Sequence, residues 1–326
     1  TLAQKLARDL AWLEENNARV MTHLDEDYPL ALAQIPRPPS VLYVLGNASV
    51  LSLPQIGIVG SRKPSSGGKS HALEFARELA RSGFAVTSGL ALGVDTLAHR
   101  GALDAGGTTI AVMGTGIDQI YPRRNLTLAH EIIDSGGAVI SEFPLGTGPL
   151  AENFPQRNRI ISGLSSGVLV VEAALRSGSL ISARYATEQN REVFAIPGSI
   201  HNPMSRGCHA LIKQGAKLVE TAQDVVDELE GYLAMKWGEL NTKLSSGGPK
   251  QGVLEGFDPE LEDNEKRVVA VMGHDALGFE VIAEELRMPT GELMGILLSL
   301  ELKGLVENLG YGYVLTPEAD GLISSM

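Results

Sequence analysis

Ile56-Gly57-Ile58-Val59-Gly60-Ser61-Arg62 is an unbroken apolar run that ends in two small residues and an arginine. Short apolar runs closed by turns of small residues recur at Ser88-Gly89-Leu90-Ala91-Leu92-Gly93-Val94-Asp95, Met113-Gly114-Thr115-Gly116, Ser141-Glu142-Phe143-Pro144, Ser177-Gly178-Ser179 and Ile196-Pro197-Gly198-Ser199. Apolar runs without polar alternation mark strands buried on both faces of a parallel sheet. In such a sheet these turns all fall at the carboxyl edge, where ligands bind. Small residues there let backbone N–H groups approach an anion, and the next helix points its positive end at the same spot. The middle of the chain is therefore built to hold phosphate.

Working outward, strands are expected at Ile56–Val59, Phe84–Thr87, Thr109–Met113, Ala138–Ser141, Gly167–Val171, Val193–Ile196 and Lys217–Val219. Helices are expected between them, near 68–82, 94–105, 124–135, 155–165, 179–190, 203–214 and 221–231. Strands alternating with helices imply right-handed βαβ units. The expected fold class is α/β: an extended Rossmann-like, mostly parallel sheet with helices on both faces, over residues 51–235.

Residues 1–50 read as a lead-in. Leu6, Leu10 and Leu13 stand at helical spacing, so 1–20 is expected to be a helix. Pro29, Pro36, Pro38 and Pro39 then enforce an extended path to Val41–Val44. Residues 236–257 are expected to be a linker, because Ser245 to Gly252 is small and polar throughout. Residues 258–320 suggest helices near 262–272, 279–287 and 290–303 and a hairpin of Leu305–Asn308 with Tyr313–Leu315, which is a winged-helix pattern.

The single cysteine, Cys208, rules out a disulfide framework and fits a reducing compartment, so a cytoplasmic protein is expected. No apolar run approaches the roughly 18 residues of a membrane span, and no basic-then-apolar leader opens the chain. The net charge is −12, which looks wrong for a nucleic-acid binder, but it is unevenly spread. Residues 57–230 carry 16 basic and 17 acidic side chains, whereas 258–326 carry 4 and 14. A near-neutral domain can still present a basic face.

Several residues at the sheet edge are candidates for a phosphate backbone. Gly60, Ser61, Ser88 and Gly89 supply close-approach turns, and Arg62 supplies a guanidinium that matches phosphate geometry. An Arg62 bridge to a neighbouring carboxylate is the structural alternative. Phe154-Pro155-Gln156-Arg157-Asn158-Arg159 joins an aromatic platform to two arginines around an asparagine at a proline-started helix. Arg157 and Arg159 point to different sides of that helix, which allows one of them a structural role; a buried Phe154 staple with both arginines in salt bridges is the structural alternative. Ser177-Gly178-Ser179 opens another helix, with Arg176 and Arg184 nearby.

Catalysis finds little support, and no catalytic residue, metal or cofactor is expected. Gly67-Gly68-Lys69-Ser70 resembles the end of a nucleotide-binding P-loop, but Lys63 stands where the pattern needs a glycine. The histidines lack metal-type spacing. Asp95 and His99, four apart on one helix face, read as a cap and a pair, and Glu142 and Glu172 stand at strand ends where metal ligands can sit. A Pro-Gly-Gly-x-Gly-Thr run, which would mark a nucleotide-hydrolysing cousin, is missing; Pro197-Gly198-Ser199 comes nearest. A scaffold acting through the acidic winged helix is the other alternative. The expected recognition helix there offers Lys303 against Glu292 and Glu301, which suits protein better than DNA.

Taken as an ordered set over residues 25–230, these motifs resemble the bacterial DNA-processing protein A family, DprA, also called Smf. The set comprises Ile58 to Arg62, Ser88 to Asp95 with His99, Phe154 to Ser162, Ser177 to Leu180, and Val193 to Gly198. The resemblance implies a non-enzymatic protein that binds and protects incoming single-stranded DNA in natural transformation and loads the recombinase RecA onto it. It implies a homodimer through the Rossmann-like domain. By motif position, Arg62 would hold a phosphate and Phe154 would stack on a base, with Arg157, Asn158 and Ser179 lining the same pocket. It also implies that the N-terminal stretch is the remnant of a SAM-like helical domain. Some relatives carry a lysine just before the Phe-Pro pair, where this chain has Ala151-Glu152-Asn153.

Overall fold

The fold is that of a computed structural model describing residues 2–229, 263–272, 277, 279–286, 288, 293, 296–297, 299–301, 305–308 and 313–316. The chain divides into two compact units, residues 1–232 and 233–326. The first unit is built on one sheet. Its strands are β1 (Arg19–Thr22), β2 (Val41–Gly46), β3 (Gln55–Val59), β4 (Ala85–Ser88), β5 (Thr109–Val112), β6 (Ala138–Ser141), β7 (Gly167–Val170), β8 (Glu192–Ala195) and β9 (Lys217–Leu218). They lie in the order β1-β2-β6-β5-β4-β3-β7-β8-β9. From β6 to β9 across the sheet every pairing is parallel, and β1 and β2 add antiparallel on the β6 side.

The interior strands follow the apolar runs. All residues of β3, β4, β5, β6 and β7 are buried, because helices cover both faces. The helices are α1 (Leu2–Glu15), α2 (Leu30–Ala33), α3 (Ser66–Arg81), α4 (Val94–Asp104), α5 (Leu126–Asp134), α6 (Asn153–Leu164), α7 (Ser179–Glu188) and α8 (Arg206–Lys213). α3, α4 and α5 pack in sequence with one another, as do α2, α6 and α7. The chain builds outward from β3 to β6, then returns through α6 to lay β7 on the other side of β3. The connections leaving β3 and β7 therefore diverge, which opens a crevice at their carboxyl ends.

Two expectations for the N-terminal segment need correction. The helix ends at Glu15 rather than near residue 20, because Asn17 takes the left-handed conformation at φ 48 and the Ala18 N–H closes onto the Leu13 carbonyl at 2.8 Å. Residues 19–46 are also not a lead-in. β2 buries Leu42 and Val44 completely and pairs with β6, so both added strands belong to the sheet that was expected to begin after residue 50. Residues 222–229 are helical, while the expected linker at 236–257 lies outside the described residues. In the second unit, helices at Asp263–Val271 and Phe279–Leu286 and an antiparallel hairpin of Val306–Asn308 with Tyr313–Leu315 enclose a small core of Val268, Ile282, Leu293, Leu297 and Leu300. The expected helix at 290–303 falls only partly within the described residues. None of the described helices is long and apolar enough to cross a membrane.

The expected Asp95–His99 pair does not form. His99 is fully buried, and its Nδ1 lies 2.7 Å from the Thr109 hydroxyl. That hydroxyl donates to the Val86 carbonyl at 2.6 Å, so Nδ1 carries the imidazole proton and donates to it. Nε2 is buried with no hydrogen-bond partner. Burial, reinforced by the Arg157 charge, keeps the ring neutral and pushes its pKa down to about 3. The unfolded chain binds a proton there below about pH 6.5, and the folded chain does not. Stability must therefore fall on acidification, by about 1 kcal/mol per pH unit from this group. Urea unfolding at pH 6 and pH 5 should show a smaller loss for His99→Asn than for the parent chain. Equal losses would refute the neutral buried imidazole.

Candidate nucleic-acid interface

The crevice is assembled from backbone upward. At the end of β3 the Ser61 hydroxyl accepts the Lys63 N–H at 3.0 Å, which buries Ser61 and turns Arg62 out to solvent. The turn after β4 lies directly against it. Gly93, at φ +85, has no room for a side chain, since a Cβ would collide with the Ser61 carbonyl oxygen. The Val94 N–H bonds that same carbonyl at 3.1 Å. Ser88 is buried and donates to the Ile58 carbonyl at 2.6 Å, stitching β4 to β3.

Beneath these turns lies a buried pair of opposite charges. Asp95 accepts the Gly89 and Ala91 N–H groups at 3.1 and 3.3 Å. Arg157, 4 % exposed, donates Nη1 to the carbonyls of Gly89 and Val112. Burial pushes the Arg157 pKa down to about 10, against the pull of Asp95, so it stays charged at neutral pH. Burial likewise raises the Asp95 carboxyl, with Arg157 and the two N–H groups opposing.

Above Arg157 the Phe154 ring rests on Gly114, where a Cβ would come within 2.8 Å of Cδ1. The Arg62 guanidinium stands 5.9 Å from the Phe154 ring centre, a cation–π contact. Asn158 accepts from Arg157 Nε at 3.2 Å and donates to the Gly178 carbonyl at 3.3 Å, which couples α6 to the start of α7. There the Ser177 and Ser179 hydroxyls meet at 2.5 Å, and Ser177 Oγ accepts the Ser179 N–H at 3.3 Å. Gly60, Arg62, Phe154, Arg157, Asn158 and Ser177–Ser179 line one open cavity of about 650 Å³.

Other candidates are placed elsewhere. Arg159, on another side of α6, forms a buried ion pair with Glu142 at 2.6 Å, so neither residue is free for DNA or metal. Burial raises the Glu142 carboxyl while Arg159 opposes it. Arg184 is solvent-exposed, pairs with Glu188 at 3.4 Å and lies over the Tyr185 ring, outside this cavity. Ser61 and Ser88 serve the turns from within, and Gly89 contributes its carbonyl to Arg157. Glu172 accepts the Ser65 N–H and hydroxyl at 2.8 and 2.6 Å, so the start of α3, where the P-loop-like run sits, is filled by the chain's own carboxylate. Among the described residues no three His, Cys, Asp or Glu side chains are grouped to hold a metal ion.

Sequence reasoning missed Tyr121. Its ring centre is 5.7 Å from that of Phe154, and it lines the same cavity. The available signal was an aromatic residue in the connection that follows the Met113–Gly116 turn, on the edge already picked out.

Comparison with known proteins gives a consistent answer. The family described as DNA recombination-mediator protein A matches residues 19–230, and the DprA winged helix domain matches 257–310. Protein Smf of Escherichia coli strain K12 is 43% identical over 311 residues, which is 95% of this chain and 81% of that protein. DNA processing protein A of Streptococcus pneumoniae aligns in structure with a TM-score of 0.62 at 45% identity, over 67% of this chain and 77% of its own. DNA processing protein A of Helicobacter pylori, a structure concerned with that protein's single-stranded DNA binding mode, gives 0.59 at 33% identity over 65% and 95%. With family matches to both units and a relative aligned along nearly its whole length, the chain belongs to the DNA recombination-mediator protein A family, the DNA-processing proteins DprA and Smf.

Proposed function

We propose that the chain binds single-stranded DNA in the cleft at the sheet's switch point, as a binding protein rather than an enzyme. The observation that carries this is the exposed Arg62 guanidinium beside a half-buried Phe154 ring in an open 650 Å³ cleft. Phosphate needs a cation, and a nucleobase needs a flat apolar face. A duplex stacks its bases on each other and offers none to Phe154, so the single strand is favoured. The single-stranded DNA binding mode of the Helicobacter pylori relative supports the reading.

In this reading Arg62 contacts a backbone phosphate, assisted by the Gly60 turn and the Ser177-Gly178-Ser179 helix start. Arg157 adds its charge from below, and Asn158 keeps the α7 start in place. Delivery of the bound strand to RecA, and dimerisation through the Rossmann-like unit, rest on family resemblance. The C-terminal unit, with 4 basic against 14 acidic side chains over 258–326, is proposed to contact protein.

Fluorescence anisotropy with labelled oligo-dT and the matching duplex, at two salt concentrations, tests the reading. The parent chain should prefer the single strand and lose affinity as salt rises. Arg62→Ala should bind more weakly and reduce the slope of log affinity against log salt by about one, the signature of one lost phosphate contact. An unchanged slope would remove Arg62 from the backbone path. Phe154→Ala should cost about 1–3 kcal/mol of single-strand affinity and leave the salt slope as it was. Equal affinity of parent and Phe154→Ala would show that no base stacks on that ring.

A further inference from the structure

We infer that Tyr121 is a second base-stacking platform, separate from Phe154, and that the cleft holds two consecutive bases with the phosphate between them at Arg62. The inference rests on the single-strand reading of the cleft. Tyr121 is 45% exposed although the Phe154 ring stands beside it. Its ring is tilted 47° from that of Phe154, so the two stand as sides of a wedge and not as a stacked pair. Stacked rings would spend their faces on each other; a wedge leaves faces for ligand.

The surrounding space agrees. Beside the main cavity lies a small one of about 70 Å³, walled by Leu92, Tyr121, Pro122 and Phe154. Arg62, Tyr121 and Phe154 line both cavities. The aromatic pair thus borders two adjoining slots, and the guanidinium groups of Arg62, exposed, and Arg157, buried, border both. Ring centres 5.7 Å apart exceed the roughly 3.4 Å rise between stacked bases, so neighbouring bases would part to seat on separate rings. Tyr121 comes from the connection after β5 and Phe154 from α6, so the platforms are held by different elements. Contact with a π-face tolerates any base, so the second slot adds affinity without sequence preference.

A double-mutant cycle on oligo-dT, read by anisotropy at one salt concentration, tests this. Tyr121→Ala should weaken binding about fivefold or more, the low end of what base–aromatic stacking supplies. It should do so both in the parent chain and in Phe154→Ala. Tyr121→Phe should bind like the parent. Tyr121→Leu, which keeps apolar bulk without a flat face, should be as weak as Tyr121→Ala. The single Tyr121 variants should melt close to the parent, since that ring is 45% exposed. Loss of the Tyr121 effect in the Phe154→Ala background would make Tyr121 a positioning residue for Phe154 and overturn the inference. Full affinity in Tyr121→Ala or Tyr121→Leu, with Phe154→Ala impaired, would overturn it while leaving the cleft reading intact. Full affinity in Arg62→Ala and Phe154→Ala would instead bring down the cleft reading, and this inference with it.

Discussion

The buried guanidinium of Arg157 is the interaction on which the rest of the site depends. Two strands end beneath the cleft, and one Arg157 nitrogen donates to a carbonyl at the end of each, those of Gly89 and Val112. A charge this deep is costly unless it is paired and hydrogen-bonded. Asp95 offsets it across the same turn while holding the Gly89 and Ala91 N–H groups. This network fixes the first turn of α6 against the ends of β4 and β5. Phe154 stands in that turn, so a buried, hydrogen-bonded guanidinium sets the position of a half-buried ring.

The same network bears on how an acidic chain would carry the proposed site for a polyanion. Its excess negative charge is concentrated at 258–326, away in sequence from the residues that build the sheet edge. Within the edge, one arginine faces solvent and another lies beneath it, while the largely buried carboxylates of Asp95 and Glu142 are engaged. Asp95 is held by backbone N–H groups, and Glu142 is tied to Arg159. Charges neutralised inside the protein project little field outward, so these two carboxylates oppose the exposed Arg62 only weakly.

Much of the fold was legible because β3 to β8 are unbroken apolar runs punctuated by glycine and serine, and burial on both faces requires that pattern. β1 and β2 were not, because Arg19–Thr22 is short and solvent-facing in part, and the prolines before Val41 disguise a strand that pairs with β6 only through a partner nearly a hundred residues away. The site was legible as a set of residue types and not as a set of roles. The i, i+2 spacing of Arg157 and Arg159 says that the two diverge. It cannot say that Glu142, at the end of β6, captures Arg159, or that Arg157 turns inward to carbonyls on two other strands. Tyr121 escaped because nothing local in Ile120-Tyr121-Pro122 marks it; its meaning comes from Phe154, brought beside it by α6.

Two helix starts on the same sheet edge differ in what already occupies them. The N-terminus of α3 carries the P-loop-like run and has the dipole to attract phosphate. Glu172 occupies it with two short hydrogen bonds to Ser65, and its carboxylate packs so tightly that Gly68 could carry no side chain. An incoming phosphate would have to displace a buried, hydrogen-bonded anion of its own sign. At the start of α7 the acceptors are neutral: the Ser177 hydroxyl takes the Ser179 N–H at 3.3 Å and the Ser177 carbonyl takes the Leu180 N–H at 3.2 Å. A phosphate oxygen accepts from an N–H more strongly than a neutral hydroxyl does. The chain thus fills one helix start with its own charge and leaves the other to a weak neutral acceptor, and the weakly held one faces the same cleft as Arg62 and Phe154.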